Sequence, residues 1–217
     1  MTVIRGDLVN DMGAKQRIVH ESEDPVTGLE LSYSHTTKDT TLFVSTTNRI
    51  VRLVVSRRGQ GQPPKTVEDA GCAVGCMTSD RETGEIVVAR EDALYYYTMD
   101  GRGPPRAYES PKSLVEVYRE YVALVCPPVD RSGAADSRSR FGSAAEALFN
   151  ASTFVLLEPE LRVVAHTESL ISPVKALFQI WGDLFMMTQD GKVRIHLKQG
   201  YDLVVTYTYG PTGSQVS

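Results

Sequence analysis

The 217-residue sequence is informative first in what it lacks. No apolar run approaches the ~20 residues that a membrane-spanning helix requires, so no span is expected. Three cysteines are too few, and odd in number, for a disulfide framework, which favours a reducing, cytosolic compartment. The opening Met1-Thr-Val-Ile-Arg-Gly-Asp7 has no basic segment followed by an apolar one, so no signal peptide is expected. The glycosylation sequon at Asn150-Ala-Ser152 is then a chance match. Positive charge is scarce as well. The net charge is −4, and Lys and Arg are locally dense only at Arg57-Arg58 and Arg138-Ser139-Arg140. A nucleic-acid footprint needs a basic face, and none is present.

What the chain does have is a recurring unit. Glu85 to Thr98 places two short apolar runs either side of the polar pair Glu91-Asp92, the pattern of a tight β-hairpin. Leu42 to Leu53 repeats the device with its turn at Thr47-Asn48, and Leu184 to Leu197 repeats it with the turn at Asp190-Gly191. In each, the first run is apolar on both faces and the second alternates. That predicts an inner strand packed on both sides followed by a half-exposed one.

Shorter strand signals surround these hairpins. Val26–Tyr33, Lys65–Glu68, Gly75–Ser79, Arg106–Tyr108, Lys112–Tyr118, Tyr121–Cys126, Ser152–Leu157, Arg162–Thr167, Val174–Trp181 and Tyr201–Tyr209 complete four sets of four strands. Val3–Val9 and Arg17–His20 read as the back half of a further set. A period of roughly 35 to 50 residues matches a blade of a β-propeller. The fold expected is therefore all-β, a WD40-like propeller fragment of about four four-stranded blades plus a partial one. The alternative architecture is a β-sandwich with one long loop. Residues 129–146, rich in Ser, Gly, Ala, Arg and Asp, read as a disordered insertion in a domain spanning 1–209. Residues 210–217 read as a disordered tail.

Several residue groups suggest chemistry, and each has a plainer explanation. Cys72-Ala-Val-Gly-Cys76 could be half of a zinc site, but no second ligand pair stands at a suitable spacing and Cys126 is alone. Buried reduced thiols are the expectation. His20, His35, His166 and His196 are scattered, and no Gly-x-Ser-x-Gly elbow accompanies them. Gly59-Gln-Gly61 lacks the strand, helix and Lys-Ser/Thr pair of a phosphate cradle. Asp100-Gly101 and Asp190-Gly191 are turns rather than Ca²⁺ loops. Glu21, Glu23, Asp24, Glu82 and Glu85 read as solvated loop charge. Tyr95 and Tyr97 share one strand face and Tyr96 takes the other; packing between blades accounts for one face, and for the opposite face core packing is expected over peptide binding. Ser137, Ser139 and Ser143 sit among arginines as candidate phosphorylation sites. The first strands carry only Glu30, Glu116 and Lys175, too sparse for a shared site on the axis. No catalytic, cofactor-binding or metal residue is assigned, no cofactor is expected, and the residues that bind partners are not assigned.

Three stretches in order carry a resemblance. They are His20-Glu-Ser-Glu-Asp-Pro-Val-Thr-Gly-Leu29 leading to Thr41-Leu-Phe-Val-Ser-Thr-Thr46; Ala89-Arg-Glu-Asp-Ala-Leu-Tyr-Tyr-Tyr97 followed by Asp100-Gly-Arg-Gly-Pro104; and Trp181-Gly-Asp-Leu-Phe185 with Thr188-Gln-Asp-Gly-Lys-Val193. Over about Arg5 to Leu197 the chain resembles the vacuolar protein sorting-associated protein eleven family, a class C core subunit of the HOPS and CORVET tethering complexes. The resemblance implies a seven-bladed N-terminal propeller, of which this chain is the second half. It also implies an α-solenoid and a RING zinc module, neither of which appears in this sequence. After Leu197 the chain departs from the family, reading as strand or coil where the family passes into helices. The implied function is a non-catalytic scaffold in vesicle docking and fusion at the endosome and the vacuole or lysosome, and in autophagy. The implied partners are other class C and tethering-complex subunits and, indirectly, small GTPases and SNAREs. Association with the membrane would be peripheral, through the complex, and no nucleic acid is involved. The competing function is a propeller-based enzyme or small-ligand-binding domain with a site in the central channel.

Overall fold

The computed structural model describes residues 2–5, 17–33, 39–55, 63–127, 152–158, 160, 163–199, 203–209 and 215–216. Among them there is no helix. Strands β1 (Thr2–Arg5) and β2 (Arg17–Glu21) form a two-stranded antiparallel ribbon. Blade 1 follows as β3 (Val26–Tyr33), β4 (Thr40–Thr46), β5 (Ile50–Val55) and β6 (Lys65–Glu68). Blade 2 is β7 (Met77–Ser79), β8 (Ile86–Ala89), β9 (Ala93–Tyr97) and β10 (Arg106–Ala107). Blade 3 is β11 (Leu114–Tyr118), β12 (Tyr121–Cys126), β13 (Ser152–Glu158) and β14 (Val163–Leu170). Blade 4 is β15 (Val174–Ile180), β16 (Asp183–Thr188), β17 (Val193–Gln199), β18 (Leu203–Tyr209) and β19 (Gln215–Val216).

Each blade is an antiparallel meander in chain order. The first strands of successive blades stand side by side, β3 next to β7, β7 next to β11 and β11 next to β15. Four sheets arranged in this way are the blades of a β-propeller, and the two-sheet sandwich is set aside. Among the described residues β15 and β3 make no comparable contact, so the blades follow an arc. The insertion expected at 129–146 lies outside the described residues, as do Val129-flanking residues 128–151. The stretch read as a tail contributes β19, a fifth strand on blade 4, paired with β18.

Local chemistry sets the hairpins. Tyr118 pairs with Tyr121 and Ile180 with Asp183, leaving the two-residue turns Arg119-Glu120 and Trp181-Gly182. Arg119 and Trp181 have φ of 56° and 52°, and Gly182 83°. Primed turns need that sign so that their twist matches the strands. Gly71 is required for a different reason. A Cβ there would lie 1.9 Å from the Thr46 carbonyl oxygen, where the link between blades 1 and 2 crosses the β4–β5 turn.

Most of the core fills the spaces between blades, while Val44, Val51 and Leu53 form a small buried cluster on the outward face of blade 1. Phe43, Ile50, Met77, Ile86, Val88, Tyr95, Tyr97, Val115, Leu124 and Leu157 belong to one buried cluster running through blades 1 to 3. Phe154, Leu156, Leu184 and Met186 belong to a second, between blades 3 and 4. At about 1.5–3 kcal/mol for each fully buried large apolar side chain, these two seams dominate the stability. The expected half-exposed second strand fails in blade 2, where β9 is buried along its whole length. Its two faces meet blades 1 and 3, so nothing is left for water.

Candidate functional site

A polar row crosses the four inner strands. Glu30 on β3 accepts a hydrogen bond from the Ser79 hydroxyl of β7 at 2.7 Å. Glu116 on β11 accepts one from the Gln179 amide of β15 at 3.1 Å. Burial, then the nearby Glu30 charge, push the Glu116 carboxyl up to about 7, against the hydrogen bonds and the Arg81 charge. Burial also raises Glu30, with Ser79 and Arg81 opposing. From their spacing Glu30, Glu116 and Lys175 are expected to be too sparse for a shared site. The propeller brings Glu30 and Glu116 together, while Lys175 is exposed. Consecutive inner strands sit side by side despite being tens of residues apart, and spacing along the chain does not show that.

A second feature is a cleft of about 270 Å³ between blades 2 and 3. Its walls include Tyr96 of β9 and Val117 and Val122 of β11 and β12. The Asp80–Glu85 turn, the Arg119-Glu120 turn and the end of β13 form the rim. Among the described residues five carboxylates line it (Asp80, Glu85, Glu120, Glu158, Glu160) against two guanidinium groups (Arg106, Arg119). Tyr96 is 6% exposed, and its hydroxyl is buried. The Arg106 guanidinium lies 4.5 Å from the centre of its ring. Burial raises the Tyr96 phenol; the charge and hydrogen bonding of Arg106 oppose this and the Glu85 charge adds to it.

Lys112, which the sequence reading passed over, is a buried cation. Its ammonium donates to the carbonyls of Arg90, Glu91, Tyr108 and Ser110, the last three at 3.1, 2.6 and 2.8 Å. It thus ties the β8–β9 turn to the link entering blade 3. Burial lowers its pKa. Among the described residues no carboxylate pairs with it, and only the folded backbone brings those four carbonyls together. Cys76 donates its thiol to the Lys112 carbonyl at 3.3 Å, and its pKa is pushed up to about 11 by burial and by Cys72. Cys72, Cys76 and Cys126 are all free and buried, as expected of packing thiols.

Arg90 clamps the junction of blades 1 and 2, donating to the carbonyls of Ala70 and Gly71 and lying 4.5 Å over the Tyr95 ring. Arg102 pairs with Glu68 at 2.9 Å and covers the same ring. Tyr95 and Tyr97 therefore face blade 1 and Tyr96 faces blade 3, as the alternation predicted. Asp24 pairs with Arg49 at 3.0 Å and accepts from the Asn48 amide, pinning the β4–β5 turn. Asp100-Gly101 and Asp190-Gly191 are turns. His166 stands on β14 with its ring 6.3 Å from Phe154, while His20 and His196 fall on β2 and β17. His35, Gly59–Gly61, Ser137, Ser139 and Ser143 lie outside the described residues. No group of three or more His, Cys, Asp or Glu converges among the described residues.

The outward faces of the end blades are apolar. On β3, Glu30 points to blade 2, so Leu29, Leu31 and Tyr33 take the other face, at 40, 60 and 45% exposure. On blade 4, Gln179 and Met186 face blade 3. Phe178 and Phe185 stack at 5.6 Å on the opposite side, beside exposed Ile180 and Met187.

Blades of short antiparallel strands with apolar end faces, an acid-lined cleft and an inner polar row define a β-propeller domain. Comparison with known proteins places it further. The PEP5/VPS11 N-terminal family model matches residues 1–197, and the chain belongs to that family. It is 28% identical over 204 residues to the vacuolar protein sorting-associated protein 11 homologs of Mus musculus and of Homo sapiens. Each match covers 93% of this chain and 20% of the relative. The chain therefore spans about a fifth of the length of these relatives. Among solved structures, Pyrococcus horikoshii acylaminoacyl peptidase aligns with a TM-score of 0.50 at 9% identity, over 89% of this chain and 32% of that one. That likeness concerns the fold alone.

Proposed function

We propose that these blades are a non-catalytic protein-interaction scaffold within a HOPS/CORVET-type tethering subunit. The subunit acts in vesicle docking and fusion, and in protein transport to the endosome and the vacuole or lysosome. The family match over residues 1–197 carries this reading. The apolar end faces support it, since covering them with the remaining blades of a seven-bladed ring removes exposed sheet surface. The subunit resides in the cytoplasm and reaches those membranes peripherally. Its direct partners are other class C subunits; small GTPases and SNAREs are engaged through the complex. Reciprocal affinity purification with tagged class C subunits tests this. Recovery of the protein with them is expected, and consistent failure in both directions would sink the reading.

The inner Glu30–Glu116 pair favours one competing reading, a small-ligand or catalytic site in the central channel. A thermal-shift screen of cationic and neutral metabolites against wild type and Glu116→Gln separates the two. A hit abolished by the substitution would move the assignment to a ligand-binding propeller.

A further inference from the structure

We propose that Trp181 is a docking anchor whose indole enters an apolar pocket on another class C subunit. This rests on the scaffold reading and names the chemistry of one of its contacts. Trp181 is the single tryptophan of the chain, and at 98% it is the most exposed large apolar side chain among the described residues. It stands in the two-residue turn between β15 and β16, past the last paired residues, Ile180 and Asp183. Its φ of 52° is one that bulky side chains avoid, and Asn fills that position of a hairpin turn at lower cost. The fold by itself therefore gains neither burial nor a relaxed backbone from an indole there. Strained positions of this kind concentrate at functional sites, and tryptophan is among the residues that dominate protein interfaces.

The exposure does not come from the open end of the arc. Blade 3 has a neighbour on each side, yet its equivalent turn, Arg119-Glu120, is exposed all the same. Arg119 there has a φ of 56°. A further blade stacked on blade 4 would cover Phe178, Phe185 and Ile180 on the sheet face and leave the turn projecting. Two turns of one geometry thus carry different chemistry, a solvated charge on blade 3 and an indole on blade 4. The occupant is a protein pocket rather than an anionic lipid surface. The chain has a net charge of −4, which such a surface repels, and the neighbouring turn adds one charge of each sign. Apolar walls take the ring, and a carbonyl of the partner takes the indole N–H, which needs an acceptor once it is buried.

The test uses the full chain with 5-fluorotryptophan at its single tryptophan, and purified class C subunits added one at a time. With one subunit the lone fluorine resonance is expected to shift until saturation. Trp181→Asn lowers affinity for that subunit about thirtyfold, the loss typical of an interface hot spot, while its urea midpoint does not fall. Trp181→Phe, which keeps an apolar ring, loses less. Val74→Ser removes another exposed apolar side chain, in the link entering β7 at the opposite end of the inner strands, and leaves affinity unchanged. Wild-type affinity in Trp181→Asn, or an unmoved resonance in a complex that forms, overturns the proposal. So does an equal shift with phosphatidylcholine–phosphatidylserine vesicles, which would assign the indole to lipid. An equal shift on concentrating the chain alone also overturns it, by assigning the indole to a second copy. Equal co-purification of wild type and Trp181→Asn with class C subunits removes the anchor and leaves the scaffold reading standing, whereas a wild type that binds no subunit removes both.

Discussion

At the residue scale, three side chains sit where ordinary preference would not put them. Trp181 is 98% exposed and holds a positive φ that bulky residues avoid. Asn and Gly favour that conformation, and Gly182 already follows. Trp181→Asn is expected to stabilise the protein by about 1 kcal/mol, out of the ~1–2 kcal/mol that a left-handed residue costs, read as a rise in urea midpoint. Lys112 is the opposite case, a buried cation held by four carbonyls. Lys112→Met leaves those acceptors without their donor, and a loss of at least about 2 kcal/mol is expected from unsatisfied buried groups. Chemical denaturation followed by tyrosine fluorescence measures it. Glu116 couples the fold to pH. Its folded pKa, about 7, lies above the ordinary carboxylate value of 4.5, so the native state holds the proton more tightly than the unfolded chain does. The stability this contributes is complete below the unfolded value and is lost as pH rises through about 7. Melting temperature should fall from pH 5 to pH 8 at constant ionic strength, and Glu116→Gln should flatten that slope. An unchanged slope would mean that Glu116 titrates normally.

At the element scale, the blade is legible because its strands are local. Val26–Tyr33 falls where period-two alternation places it, and Lys65–Glu68 and Tyr121–Cys126 fall where the flanking turns bound them. Exposure of the second hairpin strand was not legible. The β8–β9 hairpin and the β16–β17 hairpin share one apolar pattern, yet β9 is wholly buried while Val193, Arg194 and Ile195 of β17 are only half-buried. Position in the arc makes the difference, because blade 2 has a neighbour on each face. The links between blades matter as much as the strands. Gly71 passes against the Thr46 carbonyl with no room for a Cβ, and the Arg90 guanidinium bonds to its own carbonyl. Gly71→Ala is expected to cost several kcal/mol, in the range of strained or overpacked backbone sites. Hydrogen exchange should show the loss spreading into both β4–β5 and β8–β9.

At the scale of the whole molecule, the inter-blade seams and the two outer faces set the behaviour. Leu29, Leu31 and Tyr33 at one end, and Ile180 and Met187 at the other, form apolar sheet surface open to water. The 217-residue chain on its own is therefore expected to self-associate with rising concentration. Leu31→Lys with Ile180→Lys should return it to a monomer in light scattering, with β-rich circular dichroism retained. A monomer at all concentrations in the unsubstituted chain would refute this.

By itself the sequence determined the strands, their grouping in fours and the family, because hydrophobic alternation and turn chemistry act over a few residues and recur in order along the chain. Tertiary structure alone decided which residues meet. Glu30 and Glu116 share a polar row, Lys112 collects four carbonyls and Tyr96 joins carboxylates from two blades because successive meanders stack face to face. That stacking is driven by burying apolar sheet faces, and it places side chains from distant segments beside one another whatever their separation along the chain.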